Sequence, residues 1–237
     1  MCEFFSGVST FINGTRHDYV SSEGLMSHTA IMEEHHLKDS LATWGRIVPW
    51  ELVPPLWKYS TPLSKWKLRA DMEFLMQSGT PFWWEEDQDK IRSFAIREAS
   101  KRILTSGSHT ITKGTWIVKG DAKVIVDTEN GDRGGEGWDS TVYILLLADK
   151  ACMKLIDGCV LDVTGEAFLD MKGGRCSKAG GKSLVHLQGG MLSLARQSAT
   201  VLLDNGQLDN VVQDVRLIRR GGMADRISDS VLYQDLS

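Results

Sequence analysis

Residues 151 to 230 read, in rows of sixteen, ACMKLIDGCVLDVTGE, AFLDMKGGRCSKAGGK, SLVHLQGGMLSLARQS, ATVLLDNGQLDNVVQD and VRLIRRGGMADRISDS. Gly158, Gly174, Gly190, Gly206 and Gly222 stand in one column, preceded by Asp157, Gly173, Gly189, Asn205 and Gly221. Such D-G, G-G and N-G pairs adopt φ > 0 at little cost and mark turns. Met153, Leu169, Val185, Val201 and Leu217 share a second column, and Val160, Cys176, Leu192, Leu208 and Ala224 a third. Val163, Ala179, Ala195, Val211 and Ile227 form another, and the small residues Ala151, Ala167, Ser183 and Ala199 a further one.

A fixed period with column-wise chemistry marks a solenoid, in which equivalent residues of successive coils stack. Apolar positions two apart are strand geometry, and the glycine pair turns the chain into a second, shorter strand. The stretch therefore reads as a parallel β-solenoid (β-helix) with 16-residue coils. The rival is an antiparallel meander of hairpins, which gives no reason for chemistry to recur at sixteen rather than eight. Arg219 breaks the column of Leu155, Met171, Leu187 and Leu203, so the core thins toward the C-terminus. The last coil stops half way round at Tyr233. Homo-oligomerisation through this end and closure by the short tail are both open readings.

Working upstream, the repeat breaks at Glu129–Gly137, which reads as a loop inserted at 129–138. Strand alternation around Thr115–Val118 and Lys123–Val126 places the start of the solenoid near Ser108, within a domain spanning 105–237. Before it, Ile91, Phe94, Ala95, Ala99 and Ile103 follow helical spacing over Glu85–Leu104. Acidic residues open that segment and Lys101 and Arg102 close it, matching the helix dipole. The helix is expected to connect a Trp/Pro-rich segment, 40–104, to the first coil. All five prolines and six of the eight tryptophans lie between residues 40 and 85. Tryptophans there supply core area, or alternatively a platform for stacking a base or gripping a partner. Trp57, Trp66 and Trp84 with Lys65, Lys67 and Arg69 are the candidate residues of such a site. Lys65, Lys67 and Arg69 equally suit an exposed strand face, with Trp66 and Leu68 turned inward. In the inserted loop, Asp132, Arg133 and Trp138 are the candidate contacts.

The first segment, 1–39, alternates around Asn13-Gly14 as a β-hairpin, and Ser27 reads as the N-cap of a short helix through Leu37. The start Cys2-Glu3-Phe4-Phe5-Ser6, then Ser27-His28-Thr29-Ala30-Ile31 and Leu37, resembles a group of bacteriophage proteins. Those proteins open with a similar C/Y-E-F-F-S segment and an S-H-S-x-I helix start. Some continue into repetitive tails of the S-A-T-V kind, which Ser198-Ala199-Thr200-Val201 matches. His36 stands where that pattern usually has glycine. The hairpin and helix make an α+β N-terminal region ahead of the β-helix, and the resemblance implies a phage or prophage origin and, with it, a host protein as partner. It carries no activity.

The formal charge of −4 with 24% charged residues points to no polyanionic partner. Basic residues are scattered, which gives nucleic-acid binding little support. No apolar run spans a membrane and no signal peptide is legible, so a cytoplasmic location is expected. Cys2, Cys152, Cys159 and Cys176 have no metal-ligand spacing and read as reduced thiols.

Three constellations invite chemistry. His28 and His35 share a helical face but sit two turns, about 10 Å, apart, too far for one metal ion. Asp127, Glu129, Asp132, Glu136 and Asp139 have a calcium-like composition without the order of a calcium loop. His28-Thr29 and His109-Thr110 lack the hydroxyl two residues on that paired-histidine phosphodiesterases need. No metal, cofactor or catalytic set is assigned. The expectation is a non-enzymatic phage-type protein that binds and inhibits a host protein. A nucleotide-binding protein and an enzyme sited in residues 1–104 are the alternatives.

Overall fold

A computed structural model describes residues 5–22, 24, 27–37, 46–71, 75, 79–128 and 142–237. The chain divides into two units, Met1–Arg102 and Ile103–Ser237. The segments 1–39 and 40–104 are therefore not separate bodies. Strands from both pair in one sheet, because Phe5 to Thr10 run antiparallel to Ile47 to Leu52.

The first unit is an antiparallel sheet in the order β2-β1-β3-β4, with β1 at Phe5–Ile12, β2 at Thr15–Tyr19, β3 at Ile47–Val53 and β4 at Lys67–Ala70. Asn13 (φ 51) and Gly14 (φ 77) make the two-residue turn between β1 and β2, with both residues left-handed as a type I′ turn requires. Helix α1 spans His28–Glu34, and the Ser27 hydroxyl accepts the Ala30 N–H at 3.3 Å, the expected N-cap. Proline is tolerated in the middle strand for a local reason. Pairing of β3 with β4 stops at Trp50↔Ala70, so Pro49 stands at the end of that ladder, where its carbonyl still accepts the Asp71 N–H at 2.9 Å.

Helix α2 spans Phe82–Ser100, starting and ending a turn earlier than helical spacing suggests. Pro81 sets its start, since the missing N–H of proline costs nothing there. Its C-terminal end is set by Ile103–Leu104, which form a strand instead. The buried face of α2 carries Trp83, Trp84, Ile91, Ala95 and Ala99. It packs on the sheet, with Phe11 stacked on Trp83 at 5.7 Å and Trp50 edge-on to Phe94 at 6.3 Å. The tryptophans thus build the core of a small unit. Full burial of such side chains contributes about 1.5–3 kcal/mol or more each.

The second unit is the parallel β-solenoid. One sheet is built from the even strands: β6 (Ser108–Ile111), β8 (Lys123–Val126), β10 (Cys152–Leu155), β12 (Phe168–Met171), β14 (Leu184–Leu187), β16 (Thr200–Leu203), β18 (Arg216–Arg219) and β20 (Leu232–Asp235). The other is built from the odd strands: β5 (Ile103–Leu104), β7 (Gly114–Val118), β9 (Val142–Leu147), β11 (Cys159–Val163), β13 (Arg175–Ala179), β15 (Met191–Ala195), β17 (Gln207–Val211) and β19 (Met223–Ile227). From Cys152 onward every pair is in register at sixteen residues, Met153↔Leu169↔Val185↔Val201↔Leu217. Parallel pairing of residues 151–166 with 167–182 rules out the meander. The first coils are shorter: Ile103 pairs with Ile117 and Ser108 with Lys123. The solenoid therefore starts at Ile103, before the expected residue 105.

Inward columns fill the interior. Leu169, Met171, Cys176 and Ala179 of one coil are all fully buried, as are their counterparts Val201, Leu203, Leu208 and Val211. Ala151, Ala167, Ser183 and Ala199 line one corner, and the buried Ser183 hydroxyl has no hydrogen-bond partner among the described residues. At the other corner Gly206 has φ 96, and a Cβ there would lie 2.7 Å from the Gly190 carbonyl oxygen. A second left-handed column runs along the Ala/Ser corner. Asp149 (φ 60), Gly165 (φ 71), Gly181 (φ 65), Gln197 (φ 57) and Gln213 (φ 62) occupy it. Its side chains bond up the stack. Gln197 Oε1 accepts the Gly181 N–H at 3.1 Å, and Asp149 Oδ2 the Gly120 N–H at 3.0 Å.

Arg219 takes the interior position of Leu203 one coil on, as expected for a thinning core. Its guanidinium meets Asp235 at 3.4 Å and the Gly222 carbonyl at 3.0 Å. Met223, Leu232 and Tyr233 around it are exposed. Among the described residues no helix is long and apolar enough to cross a membrane.

Candidate functional site

Alternation places two outward columns on the even-strand sheet. One runs Lys123, Cys152, Phe168, Leu184, Thr200, Arg216, and the other Ile125, Lys154, Asp170, His186, Leu202, Ile218. Ile125 and Leu184 are 42% and 41% exposed, so large apolar groups face solvent on a flat, regularly hydrogen-bonded scaffold. The odd-strand sheet differs. Leu145 and Leu161, outside the interior cluster, are buried there, so that face is not open at those coils.

The middle of the even-strand face carries one polar network. His186 Nε2 donates to Asp204 Oδ2 at 2.7 Å. Gln188 Nε2 donates to Asp170 Oδ1 at 2.7 Å and lies 3.0 Å from His186 Nδ1. Lys172 Nζ donates to Gln188 Oε1 and sits 3.9 Å from Asp170. Arg220 lies 3.7 Å from Asp204. These contacts assign the imidazole proton to Nε2, because the amide of Gln188 fills the other ring nitrogen. Two cations and two carboxylates balance, and four of the contacts join neighbouring coils: His186 with Asp204, Gln188 with Asp170, Lys172 with Gln188 and Arg220 with Asp204. The network holds side chains in fixed geometry on a rigid surface.

Toward the first coils lies a groove of about 380 Å³, lined by Ser108, Lys123, Ile125, Cys152, Lys154 and Phe168 among others. Its floor is the backbone of Val124 and Met153, between the two outward columns. On the odd-strand sheet, Asp162 pairs with Lys178 at 3.1 Å. Burial holds the Asp162 carboxyl above its ordinary value, only partly offset by that lysine. Burial likewise pushes the Cys176 thiol far up, so it stays protonated and unreactive.

The tryptophan–lysine constellation is not assembled. Trp66 is fully buried, donates to the Thr61 carbonyl at 2.8 Å and packs on Phe5 and Tyr59. Trp84 is buried against Trp83. Lys67 and Arg69 alternate with Leu68 and Ala70 along β4 and lie on its exposed side, with Lys65 exposed in the preceding turn. Arg69 bonds Glu51 at 2.6 Å. Trp57 closes a 3₁₀ turn with its side chain outside the described residues, as are Asp132, Arg133, Trp138 and the inserted loop at 129–138.

The histidines of α1 hold the unit together. His28 is buried, with Nε2 3.2 Å from the Trp50 carbonyl and Nδ1 3.4 Å from Asp71. His35 Nε2 donates to the Val20 carbonyl at 2.9 Å, and its ring lies 4.9 Å from Tyr19. His36 has φ 55 just past the helix, the left-handed position that favours glycine. Among the described residues no three His, Cys, Asp or Glu side chains converge as a metal ion needs.

Sequence reasoning missed the even-strand network and groove, although the signal was present. The same sixteen-residue spacing that stacks the interior also stacks Asp170 on His186, and Lys172 on Gln188 and Asp204. The chain matches no protein-family profile, and searches of curated proteins and of solved structures return no match.

Proposed function

We propose that this is a non-enzymatic interaction protein that binds a partner protein through the outer face of its even-strand sheet. One observation carries the reading: Ile125 and Leu184 stand exposed, and Phe168 partly so, beside a network whose side chains are already fixed by mutual bonds. Pre-ordered side chains lose little entropy on binding, and apolar groups on a rigid face supply the driving force. The resemblance to bacteriophage proteins supports a host protein as the partner and the host cytoplasm as the setting, with inhibition of that protein as the effect.

The test is affinity capture from the host with wild-type protein and with Leu184→Glu, followed by mass spectrometry. A host protein retained by wild type and lost from the folded variant supports the reading. Identical capture by both sinks it.

A second reading, small-ligand binding, is favoured by a cavity of about 330 Å³ in the first unit, lined by Phe5, Ser6, Ser21, Trp50, Ala95 and Arg102 among others. Arg102 donates to the Ser22 carbonyl at 2.7 Å, and burial lowers its pKa from the ordinary value. Stabilisation of the protein against heat by nucleotides, lost in Ala95→Trp, would favour this reading.

A further inference from the structure

The groove on the even-strand sheet has a charge pattern that specifies its occupant. Lys123 and Cys152 are outward neighbours on adjacent coils, and so are Ile125 and Lys154. The four form a square in which the lysines occupy one diagonal and the apolar side chains the other. Two residues along a strand and one coil across put the lysine Cα atoms about 8 Å apart. Phe168 continues the apolar side of the square on the next coil. Lys123 and Lys154 are exposed and form no ion pair among the described residues, whereas Lys172 is engaged by Gln188 and Asp170.

We infer that this groove takes an extended acidic segment of a partner protein in which one apolar side chain is flanked by carboxylates two residues away on either side. This rests on the proposed binding face and names the chemistry it recognises. In an extended chain, residues i and i ± 2 project to the same side about 6.8 Å apart. The apolar side chain enters the dimple over Val124 and Met153, between Ile125 and Cys152. The lysines, with long flexible stems, splay outward along their diagonal to meet the two carboxylates. Phe168 closes one wall of the dimple. One nearby acidic group bears on the selectivity: Asp170 faces the groove but lies 3.9 Å from Lys172 and is bonded to Gln188, which leaves Lys123 and Lys154 as the cations without an ion pair among the described residues.

The probe is the fluorescein-labelled peptide Gly-Glu-Ser-Phe-Ser-Glu-Gly, titrated with the full chain by fluorescence anisotropy. Saturable binding is expected, weakened about tenfold or more by Lys123→Glu with Lys154→Glu, and weakened by added salt as exposed charge pairs are screened. Replacing the peptide phenylalanine by alanine, or its glutamates by lysine, should lose binding comparably. If the glutamate variant fails to keep the wild-type melting temperature, Lys123→Ala with Lys154→Ala replaces it, with the same expectation of weakening. No saturable binding, or binding unchanged in a folded double variant, overturns the inference. So does tighter binding of a single-stranded oligonucleotide to the same two lysines. A host partner captured by wild type and lost on Leu184→Glu, with the peptide unbound, leaves the binding face standing and removes the acidic-segment assignment alone.

Discussion

Gln213 Oε1 accepts the backbone N–H of Gln197, sixteen residues earlier, at 2.9 Å. Both glutamines have positive φ, which costs a non-glycine residue roughly 1 kcal/mol or more. The hydrogen bond up the stack offsets that cost. Gln213→Ala keeps the strained backbone and loses the bond, so it is expected to destabilise by about 1–2 kcal/mol. Gln213→Gly loses the bond and relieves the strain, and should fall nearer to wild type. Denaturant titration of both variants checks the order; an alanine variant as stable as the glycine one would refute the offset.

At Gly206 the penalty has two sources. Its φ of 96 disfavours any side chain, and an added Cβ meets the Gly190 oxygen at 2.7 Å. Gly14 has φ 77 with nothing among the described residues within 4 Å of its missing Cβ. Gly14→Ala should therefore cost about 1 kcal/mol from backbone conformation alone, and Gly206→Val more than about 2 kcal/mol. Equal losses at the two sites would show that the corner has room.

Ser183 interrupts a column of alanines with a buried hydroxyl that bonds to nothing among the described residues. Ser183→Ala removes the unsatisfied group without creating a cavity. A gain of about 1 kcal/mol is expected, since a buried polar group without a partner costs about 1–3 kcal/mol. A loss of stability would mean that the hydroxyl has a partner in solution.

Lys123 pairs with Cys152, and Cys152 with Phe168. The first spacing is 29 residues (152 − 123) and the second 16, so 13 residues are extra, the number from 129 to 141. Removing 129–141 and changing Val142 to glycine restores the ordinary corner, with residues 127, 128 and 142 matching Ile156, Asp157 and Gly158. Thr128 already bonds Asp157 at 3.0 Å across these corners. The shortened chain should keep its β-sheet circular dichroism and a single cooperative melt. Loss of the folded signal would place a structural role in the deleted segment.

Asp235 accepts hydrogen bonds from Ser237 and Tyr233 and faces Arg219, which lowers its pKa from 3.8 to about 2. A carboxyl depressed on folding stabilises above its unfolded value, and that contribution disappears as pH falls through the folded value. Strand β20 should therefore fray as pH drops from about 4 to about 2, while the inner coils persist. Hydrogen exchange of the amides from Leu232 to Asp235 reports this, and unchanged protection at pH 2 would refute it.

The interior was legible because burial leaves each inward column few chemistries, and stacking repeats them at sixteen. The Gly158 to Gly222 corner was legible for a similar reason, since a left-handed turn there admits almost only glycine. The opposite corner was not: Asp149, Gly181 and Gln197 meet the same backbone demand in different ways, so no column stands out. The end of α2 was misplaced because Ile103 continues the helical spacing, yet pairing with Ile117 claims it for the solenoid. Helical spacing already set His28 and His35 too far apart for one metal ion, but their carbonyl partners, Trp50 and Val20, come from distant segments and leave no mark in the sequence around them. At Trp66 and Arg69 the sequence offers both a joint site and an exposed strand face with the indole turned inward; strand alternation settles it for the second, with the cation outside and the indole in the core. The even-strand network escaped notice because exposed positions accept almost any residue, so chemistry does not recur down their columns.

The constant register from Cys152 to Arg219 makes length a counted quantity. Duplicating or deleting one sixteen-residue unit there moves everything beyond it by one inter-strand step, about 4.8 Å, and leaves each remaining coil with the neighbours its side chains already fit. The distance between the lysine groove and any group on a later coil can thus change only in whole steps. A chain built this way is a ruler as well as a surface, able to match a partner of different span without redesigning either end.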